Sequence, residues 1–494
     1  MLNTRGRGRR SPLWQQSVMG GAEQLHQREH PFVRADDNAR LFAYEQQVKG
    51  AFAAIEPCLR EISALRYDAD FAQRAQRLAQ ERLGFRLPDG LLSDAWIRPL
   101  DVPRLFAWCT FETFRQMSEH FYTEEPLAGD EGAFQQFIES CGFHLIDLTP
   151  CADGRLAHVV RYVLRLPYKP VRRRSYAGAM FDIEDSLEKW VETELMRYRE
   201  ARPNAADAPT RYLKVAVYHF SSISPHDEGC AAHGSDDAQA AEGAWERLQA
   251  FRTGVENTHC CGASIDLLLV GMDTDTDAIR VHLPDSEGWI DTSQAVEASA
   301  LYEASRQVSA SDPASWIAQQ LQAWMAQRGR TPSSEGMIRF AARLLLGNLS
   351  QIDYVRRYHN GAYADAGHQE AFIGMGIGFE EIQLRNLTYF AYLKTVEEGA
   401  ADLDVGIRIF SGLNVARGLP VPVVIRNDYH GRVPGARERA VARCQQLDKA
   451  LRQRFASLSE SGMLHTLLMV RDCGANSVAE PVVCSALPRG PEKH

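Results

Sequence analysis

The spacing of apolar residues changes at His144, and this change limits the folds that are open to the chain. Before it, from Asn38 to about Gly142, apolar residues recur three and four positions apart, which predicts helices. After it, short apolar runs alternate with amphipathic stretches, a pattern typical of strands followed by helices. The sequence therefore predicts a helical amino-terminal domain followed by an α/β (α+β) layer architecture.

The chain has 494 residues, which is enough for about three domains. Residues 1–36 are basic, show little apolar periodicity and are expected to form a disordered tail. We then expect a helical domain over residues 37–142, a first mixed domain over 143–362 and a second mixed domain over 363–494.

The patterns also predict individual elements. In the first mixed domain, strands are expected at 144–148, 212–220 and 264–272, and helices at 182–200, 238–256, 313–326 and 334–358. In the second, we expect a helical stretch from 363 to 398, strands at 404–410 and 421–425, and a helix at 437–455. Asp182 and Asp312 are expected to cap the helices that follow them.

Charge and composition exclude several classes of protein. The formal net charge of -9 argues against a nucleic-acid-binding protein, although four of the first ten residues are arginine. No apolar run approaches the ~18 residues that cross a bilayer, and no secretory signal is recognised, so we expect no membrane association. Ten cysteines in an intracellular protein are expected to be reduced thiols, a few of them metal ligands.

The most informative stretch runs from His144 to Leu166 and is typical of a strand, a tight turn and a helix. Its turn carries Cys151, Asp153 and Arg155 in the order C-x-D-x-R, at the carboxyl end of a strand, where ligand sites of α/β sheets collect. A Cys thiolate binds zinc well. The fork of Arg155 can hold both oxygens of Asp153, which keeps this carboxylate beside the metal rather than on it.

A second group of metal-binding side chains follows the strand RYLKVAVYHF, which carries His219 near its end. The loop SSISPHDEGCAAHGS comes next and contains Cys230 and His233. The spacing C-x-x-H makes Cys230 and His233 a compact chelate. Spacing alone does not choose between His219 and His233 as the ligand.

Longer strings carry a resemblance to one family. The pattern C-x-D-x-R with a downstream His and Cys resembles the β class of carbonic anhydrases. The chain more specifically resembles the carboxysomal shell carbonic anhydrases, a divergent β-like group also called the ε class. The strings that carry this resemblance are CADGRL, DIED, PTRYLKVAVYHF, GCAAHGS, HCCGASID, DTDTDAIRVH, SEGM, LSQIDYV and ARER. The resemblance runs from about Asn38 to about Phe455.

The resemblance implies the identity of the site residues. It implies that Cys151, His219 and Cys230 bind one Zn²⁺ per chain and that Asp153 and Arg155 form a dyad beside it. Zinc-bound hydroxide would then attack carbon dioxide to give bicarbonate, with Asp153 orienting it. The proton would leave through a histidine.

Two residues are candidates for that proton shuttle. His233 and His226 both lie in the loop region between His219 and the next predicted helix, and imidazole carries protons near neutral pH. The sequence does not decide between them.

The resemblance further implies two β-carbonic-anhydrase-like halves, of which the second binds no metal. No cysteine stands between Cys261 and Cys444, and no second C-x-D-x-R occurs, in agreement with this expectation. A location inside the carboxysome is implied, where the enzyme would supply carbon dioxide to Rubisco. The basic tail would bind the shell, Rubisco or both, and a homodimer or larger even oligomer is expected.

A scaffold protein of the carboxysome shell is the alternative, with zinc bracing the fold. Such a closed structural site needs a fourth protein ligand, for which His233 or Asp153 is the best candidate.

An acidic motif in the first mixed domain imitates a calcium-binding loop but does not predict one. Asp273, Asp275 and Asp277 resemble the start of an EF-hand loop, but Ala278 and Pro284 stand where glycine and glutamate are needed. Calcium binding is therefore not expected.

Overall fold

The structure of the chain is a computed structural model. It describes residues 29–93, 99–127, 129–167, 171–205, 209–258, 264–364, 367–379, 381–396, 399–475 and 477–487. Residues 1–28 of the predicted tail lie outside the described residues. The two cysteines of the string HCCGASID, Cys260 and Cys261, lie outside them as well. None of the helices in these ranges combines the length and the apolar character that a bilayer-spanning helix needs.

Helices dominate the first 140 residues and alternate with strands thereafter. They are α1 (Ala35–Ala53), α2 (Ile55–Ala64), α3 (Phe71–Leu83), α4 (Asp89–Leu92), α5 (Val102–Glu124), α6 (Glu131–Ser140), α7 (Ile183–Arg199), α8 (Asp237–Thr258), α9 (Ala298–Ser305), α10 (Pro313–Gln327), α11 (Glu335–Tyr358), α12 (Ala400–Leu413), α13 (Ala436–Arg454) and α14 (Ala456–Glu460). The carboxylates of Asp182 and Asp312 accept backbone N–H bonds at the starts of α7 and α10, so the predicted caps are confirmed.

The strands form two sheets. They are β1 (Leu145–Pro150), β2 (Val171–Arg173), β3 (Arg211–Phe220), β4 (Ser264–Asp273), β5 (Ile279–His282), β6 (Val296–Glu297), β7 (Phe372–Ile377), β8 (Thr388–Ala391), β9 (Val421–Tyr429), β10 (Leu464–Asp472) and β11 (Glu480–Cys484). The first sheet has the order β2-β1-β3-β4-β5-β6 and the second the order β11-β10-β9-β7-β8. The strands predicted for the first mixed domain, and its helices from residue 182 onward, are confirmed.

The two sheets share one topology. The run β2-β1-β3-β4-β5 and the run β8-β7-β9-β10-β11 each contain three parallel pairs followed by one antiparallel pair. The second half therefore repeats the strand arrangement of the first. The predicted architecture, a helical amino-terminal region followed by two similar mixed halves, is confirmed.

The amino-terminal helices cover one face of the second sheet. Phe114 packs edge-on against Phe372 of β7, and Phe52 stacks on the same ring. Along β9, Val424 belongs to this core, whereas Val423 and Ile425 point to the opposite face, which α12 and α13 cover. Burial on both faces removes the apolar surface of the strands from water.

Two predictions for the second half are wrong. The helical stretch expected from 363 to 398 contains the strands β7 and β8 instead. Gly376 lies on β7 with φ +108°, and a Cβ there would meet the carbonyl of Arg426 at 2.1 Å, so a close strand pairing rather than a helix explains this glycine. The expected strand at 404–410 is part of α12, because Leu403, Ile407 and Phe410 share one buried helical face.

The helix expected after Cys151 is also different. The chain there makes a short 3₁₀ turn at Gly154–Leu156 and a π-helical turn at Val159–Val163. The apolar residues of this stretch are buried, as the pattern predicted, but in two tight turns.

A buried ion cluster occupies the carboxyl edge of the second sheet. Arg426 of β9 is fully buried and donates to Glu381 and to Asp428, with the Asp428 Oδ1 atom at 2.7 Å from its Nε atom. Asp428 is the penultimate residue of β9, as His219 is of β3. The second half thus places a guanidinium and two acids at the edge where the first half places Cys151 and His219.

We expect Arg426→Ala to lower the free energy of unfolding by about 3 to 5 kcal/mol, because it leaves two buried carboxylates without their main partner. Chemical denaturation followed by circular dichroism measures this change. Arg437→Ala is the control, since Arg437 pairs with Glu480 at the surface and its loss should leave the free energy of unfolding nearly unchanged. Equal losses in the two variants would contradict the prediction.

Candidate metal centre

Two parallel strands bring Cys151 and His219 to the same edge of the first sheet. Cys151 directly follows β1, and His219 is the penultimate residue of β3. The two strands are paired in parallel, and the Cys151 N–H donates to the carbonyl of Val217 at 3.1 Å. The carboxyl ends of parallel strands meet at one edge, so both side chains face one site.

Cys230 comes to this site from a loop. The chain leaves β3 after Phe220, turns through residues 221–229 and places Cys230 at the start of a short turn before α8. The Arg155 Nη1 atom donates to the Glu228 carbonyl at 2.9 Å, which fixes the end of the loop. The ligand atoms of Cys151, His219 and Cys230 all lie within 4.8 Å of one another, and the three residues are buried.

The sulfur and nitrogen atoms of this site are suitable ligands for a soft divalent cation. The Asp153 carboxylate comes within 3.5 Å of the His219 Nε2 atom, yet neither ring nitrogen of His219 makes a hydrogen bond within the described part of the chain. A buried imidazole whose nitrogens make no hydrogen bond is costly unless it binds something. Two sulfurs and one imidazole are the donors that zinc prefers.

The two sulfurs are electrostatically coupled. The hydrogen bond with Cys230 and burial raise the pKa of the Cys151 thiol well above its ordinary value. The same hydrogen bond lowers the pKa of Cys230. The Gly178 N–H also donates to the Cys151 sulfur at 3.2 Å and favours its thiolate form. A cation between the sulfurs would remove their mutual repulsion, so the residues present fit a bound metal.

Asp153 is held by a guanidinium fork. The Nε and Nη2 atoms of Arg155 donate to the two carboxylate oxygens of Asp153 at 3.0 and 2.7 Å, and the Arg155 N–H donates to Oδ1 at 2.9 Å. Burial alone would raise the pKa of Asp153, but the charges of Arg155 and His219 lower it well below its ordinary value. Asp153 therefore stays ionised beside the three candidate ligands, and Arg155 holds both of its carboxylate oxygens.

The rings of the other two predicted histidines do not join Cys151, His219 and Cys230 in the described part of the chain. The His233 Nε2 atom is 3.3 Å from the carbonyl of Gly178, and His226 is exposed on the loop between residues 221 and 229. Gly178 has φ +63°, and a Cβ there would meet His233 Nε2 at 2.8 Å, so glycine is required for this contact. The structure therefore brings His219, rather than His233, to Cys151 and Cys230.

Sequence reasoning missed a His-Glu pair next to Asp153. His368 and Glu370 lie between α11 and β7, and their ligand atoms lie within 4.8 Å of that of Asp153. The His368 Nδ1 atom is 2.9 Å from Glu370 Oε1. Burial would lower the pKa of His368, but Glu370 and Asp153 raise it above its ordinary value. A Cβ on Gly154 would meet Glu370 Oε1 at 2.3 Å, which explains the glycine inside C-x-D-x-R.

No local signal could have found His368. It lies far along the sequence from Cys151, and its spacing to the ligands follows no metal-binding pattern. Only the docking of the second half onto the first brings it to the site.

The fold and the site define an α/β enzyme with a buried Cys-His-Cys centre that suits a soft divalent cation. Three family models match the chain. They are the Carboxysome Shell Carbonic Anhydrase catalytic domain at residues 133–368, its C-terminal domain at 369–486 and its N-terminal domain at 30–122.

Known proteins of this family are similar over most of their length. The carboxysome shell carbonic anhydrase of Prochlorococcus marinus (strain MIT 9313) is 52% identical over 94% of this chain and 91% of its own. That of Halothiobacillus neapolitanus is 45% identical over 92% of this chain and 89% of its own. That of Hydrogenovibrio crunogenus is 42% identical over 91% of this chain and 86% of its own. The chain belongs to the carboxysome shell carbonic anhydrase family, and it is a carbonic anhydrase.

Proposed function

We propose that this carbonic anhydrase works with one Zn²⁺, bound by Cys151, His219 and Cys230. The observation that carries the proposal is the convergence of two buried sulfurs and an imidazole without hydrogen bonds, with an ionised carboxylate held beside them. Bound zinc supplies a Lewis acid that makes a water molecule acidic enough to react near neutral pH. Two thiolates and a neutral imidazole balance the charge of the dication.

In this proposal, Asp153 orients the reacting water. Its low pKa keeps the carboxylate ionised, so it can accept a hydrogen bond from that water and direct the oxygen toward carbon dioxide. Arg155 holds both carboxylate oxygens and thereby keeps Asp153 from becoming a fourth ligand. A zinc ion bound by the three side chains would then keep a position open for solvent, as catalytic zinc sites do.

We further propose His368 as the residue that carries the proton away. It lies beside Asp153, its side chain is 31% exposed, and its bond to Glu370 stabilises the protonated ring. His233 and His226 remain candidates, but no contact in the described part of the chain joins either ring to Asp153. His368 is therefore the best-placed histidine between the site and solvent.

We expect His368→Ala to lower kcat on the order of 100-fold in weak buffer and to leave kcat/KM nearly unchanged, because proton release follows the chemical step. High concentrations of an imidazole buffer should restore kcat. Stopped-flow hydration assays measure both constants, with His120→Ala on the surface of α5 as the control. A loss of kcat in His233→Ala or His226→Ala, and not in His368→Ala, would assign the shuttle elsewhere.

As a member of its family, the protein is a carboxysome protein. We propose that it converts bicarbonate to carbon dioxide for Rubisco there. We also propose that the basic amino-terminal tail binds the shell, Rubisco or both, through the arginines among its first ten residues. A homodimer or larger even oligomer is proposed as the assembly, and native mass spectrometry measures it.

Metal analysis of the purified chain together with stopped-flow carbon dioxide hydration tests the proposed function. One zinc per chain and hydration that disappears with chelation are the expected results. A zinc-replete but inactive chain would favour a metal that only braces the fold. That alternative needs a fourth protein ligand, whereas His233 Nε2 faces a backbone carbonyl and Asp153 is held by Arg155.

A further inference from the structure

The turn between β4 and β5 holds the loop that carries Cys230. The Asp275 Oδ2 atom accepts from the Ser221 hydroxyl and from the Ile223 N–H, both at 2.8 Å. The carboxylate of Asp273 accepts from the N–H and the hydroxyl of Ser222 at 3.1 and 2.7 Å. These four bonds bind the first three residues of the loop to two acids that are themselves buried.

The acids stand on a turn that cannot easily move. Asp273 also accepts from the Asp275 N–H at 3.1 Å and from the Thr276 hydroxyl at 2.6 Å. The second half of the chain holds the turn from outside: the Tyr363 N–H donates to the Asp275 carbonyl at 2.8 Å, and Arg385 Nη2 donates to the Thr274 carbonyl at 3.2 Å. The turn is therefore a fixed support for the loop.

The loop joins two of the three candidate ligands. It leaves His219 and Phe220 at the end of β3 and reaches Cys230 after nine further residues, most of them exposed. Asp273 and Asp275 hold its start, and Arg155 holds its end through the Glu228 carbonyl. A segment of this length without anchors would sample many conformations, which opposes the placement of Cys230.

We propose that Asp273 and Asp275 are positioning residues that keep Cys230 at the metal site and so determine how firmly the centre retains its ion. This inference rests on the proposed role of Cys230 as a ligand. It also assigns a use to the acidic motif that resembles a calcium loop, since its first two carboxylates accept hydrogen bonds from the protein. The second half contributes as well, because Tyr363 and Arg385 hold the supporting turn.

Asp275→Ala tests the proposal in the full chain loaded with zinc. We expect zinc transfer to a chelator to be 10- to 100-fold faster or the zinc affinity to be lower by that factor, as for other residues that orient metal ligands. Asp227→Ala is the matched control, because Asp227 is an exposed acid on the same loop without such bonds. Unchanged zinc retention in a folded Asp275→Ala protein would overturn the proposal.

A milder variant decides the matter if Asp275→Ala does not fold. Ser221→Ala removes only the hydroxyl that bonds Asp275 and that accepts from the Ser224 N–H at 2.9 Å. Zinc release faster than in Asp227→Ala supports the proposal, and equal release contradicts it.

A thiol assay separates this inference from the proposed function. In zinc-stripped protein, alkylation of Cys230, followed by peptide mass spectrometry, should be at least about 10-fold faster in Asp275→Ala than in the parent, because the freed loop exposes the sulfur. Alkylation at the parent rate would overturn the positioning role. A parent chain that binds no zinc would contradict the proposed function alone, and the alkylation rates would still decide the role of Asp275.

Discussion

Cys151→Ala should bind less than a tenth of the zinc of the parent and should lose carbon dioxide hydration by on the order of 10³-fold or more. The substitution removes one of the three proposed protein donors, and the remaining pair, His219 and Cys230, would retain an ion only weakly. It also removes the sulfur to which the Gly178 N–H donates. Metal content by mass spectrometry and stopped-flow rates measure the two losses.

Cys141→Ala is the matched control. Cys141 is a buried free cysteine at the end of α6 and contributes to the core of the same half without joining the metal-binding group. Its truncation should lower stability by about 1 kcal/mol and leave the zinc content unchanged. A Cys151→Ala protein with one tightly bound zinc per chain would remove Cys151 from the ligand set.

Asp153→Asn should lower kcat/KM by on the order of 10²- to 10³-fold while the zinc content stays at that of the parent. The amide has the size of the carboxylate but no charge, so Arg155 keeps only the more distant carboxylate of Glu228 as an ionic partner, and the water loses its charged acceptor. Asp182→Asn is the control, because asparagine caps a helix as well as aspartate does. Stopped-flow assays and metal analysis are made on the same samples.

The two readouts of Asp153→Asn distinguish three roles. Lost activity with retained zinc is the expected result for an orienting carboxylate. Lost zinc would make Asp153 a ligand and would favour the structural site of a scaffold protein. Full activity with full zinc content would show that Asp153 does not take part in the reaction.

Local patterns predicted the site better than they predicted the second half. Cys151, Asp153 and Arg155 lie within five residues of one another, so a strand followed by a tight turn was enough to bring them together. The stretch from 363 to 398 was assigned wrongly, because a few apolar residues in a short window suit a helix and a buried strand equally well. Pairing with β9, which is distant in sequence, decided between the two.

The family resemblance implied His219 as the third candidate ligand, and the fold gives the physical reason. Spacing alone favoured neither His219 nor His233. His219 precedes the loop that ends at Cys230, and His233 follows Cys230 by three residues, so either ring could reach the same ion. In the structure, the parallel pairing of β1 and β3 brings His219 to Cys151, while His233 turns toward Gly178.

The sequence by itself determined the order of helices and strands in the first half, the C-x-D-x-R turn and its resemblance to one family, because these depend on residues close together along the chain. Tertiary structure decided which acids hold the Cys230 loop and that His368 lies next to Asp153, and it gives the physical reason why His219 joins the two sulfurs. These groups come from segments more than 200 residues apart, and only the packing of two sheets and their connecting turns sets the distances between them.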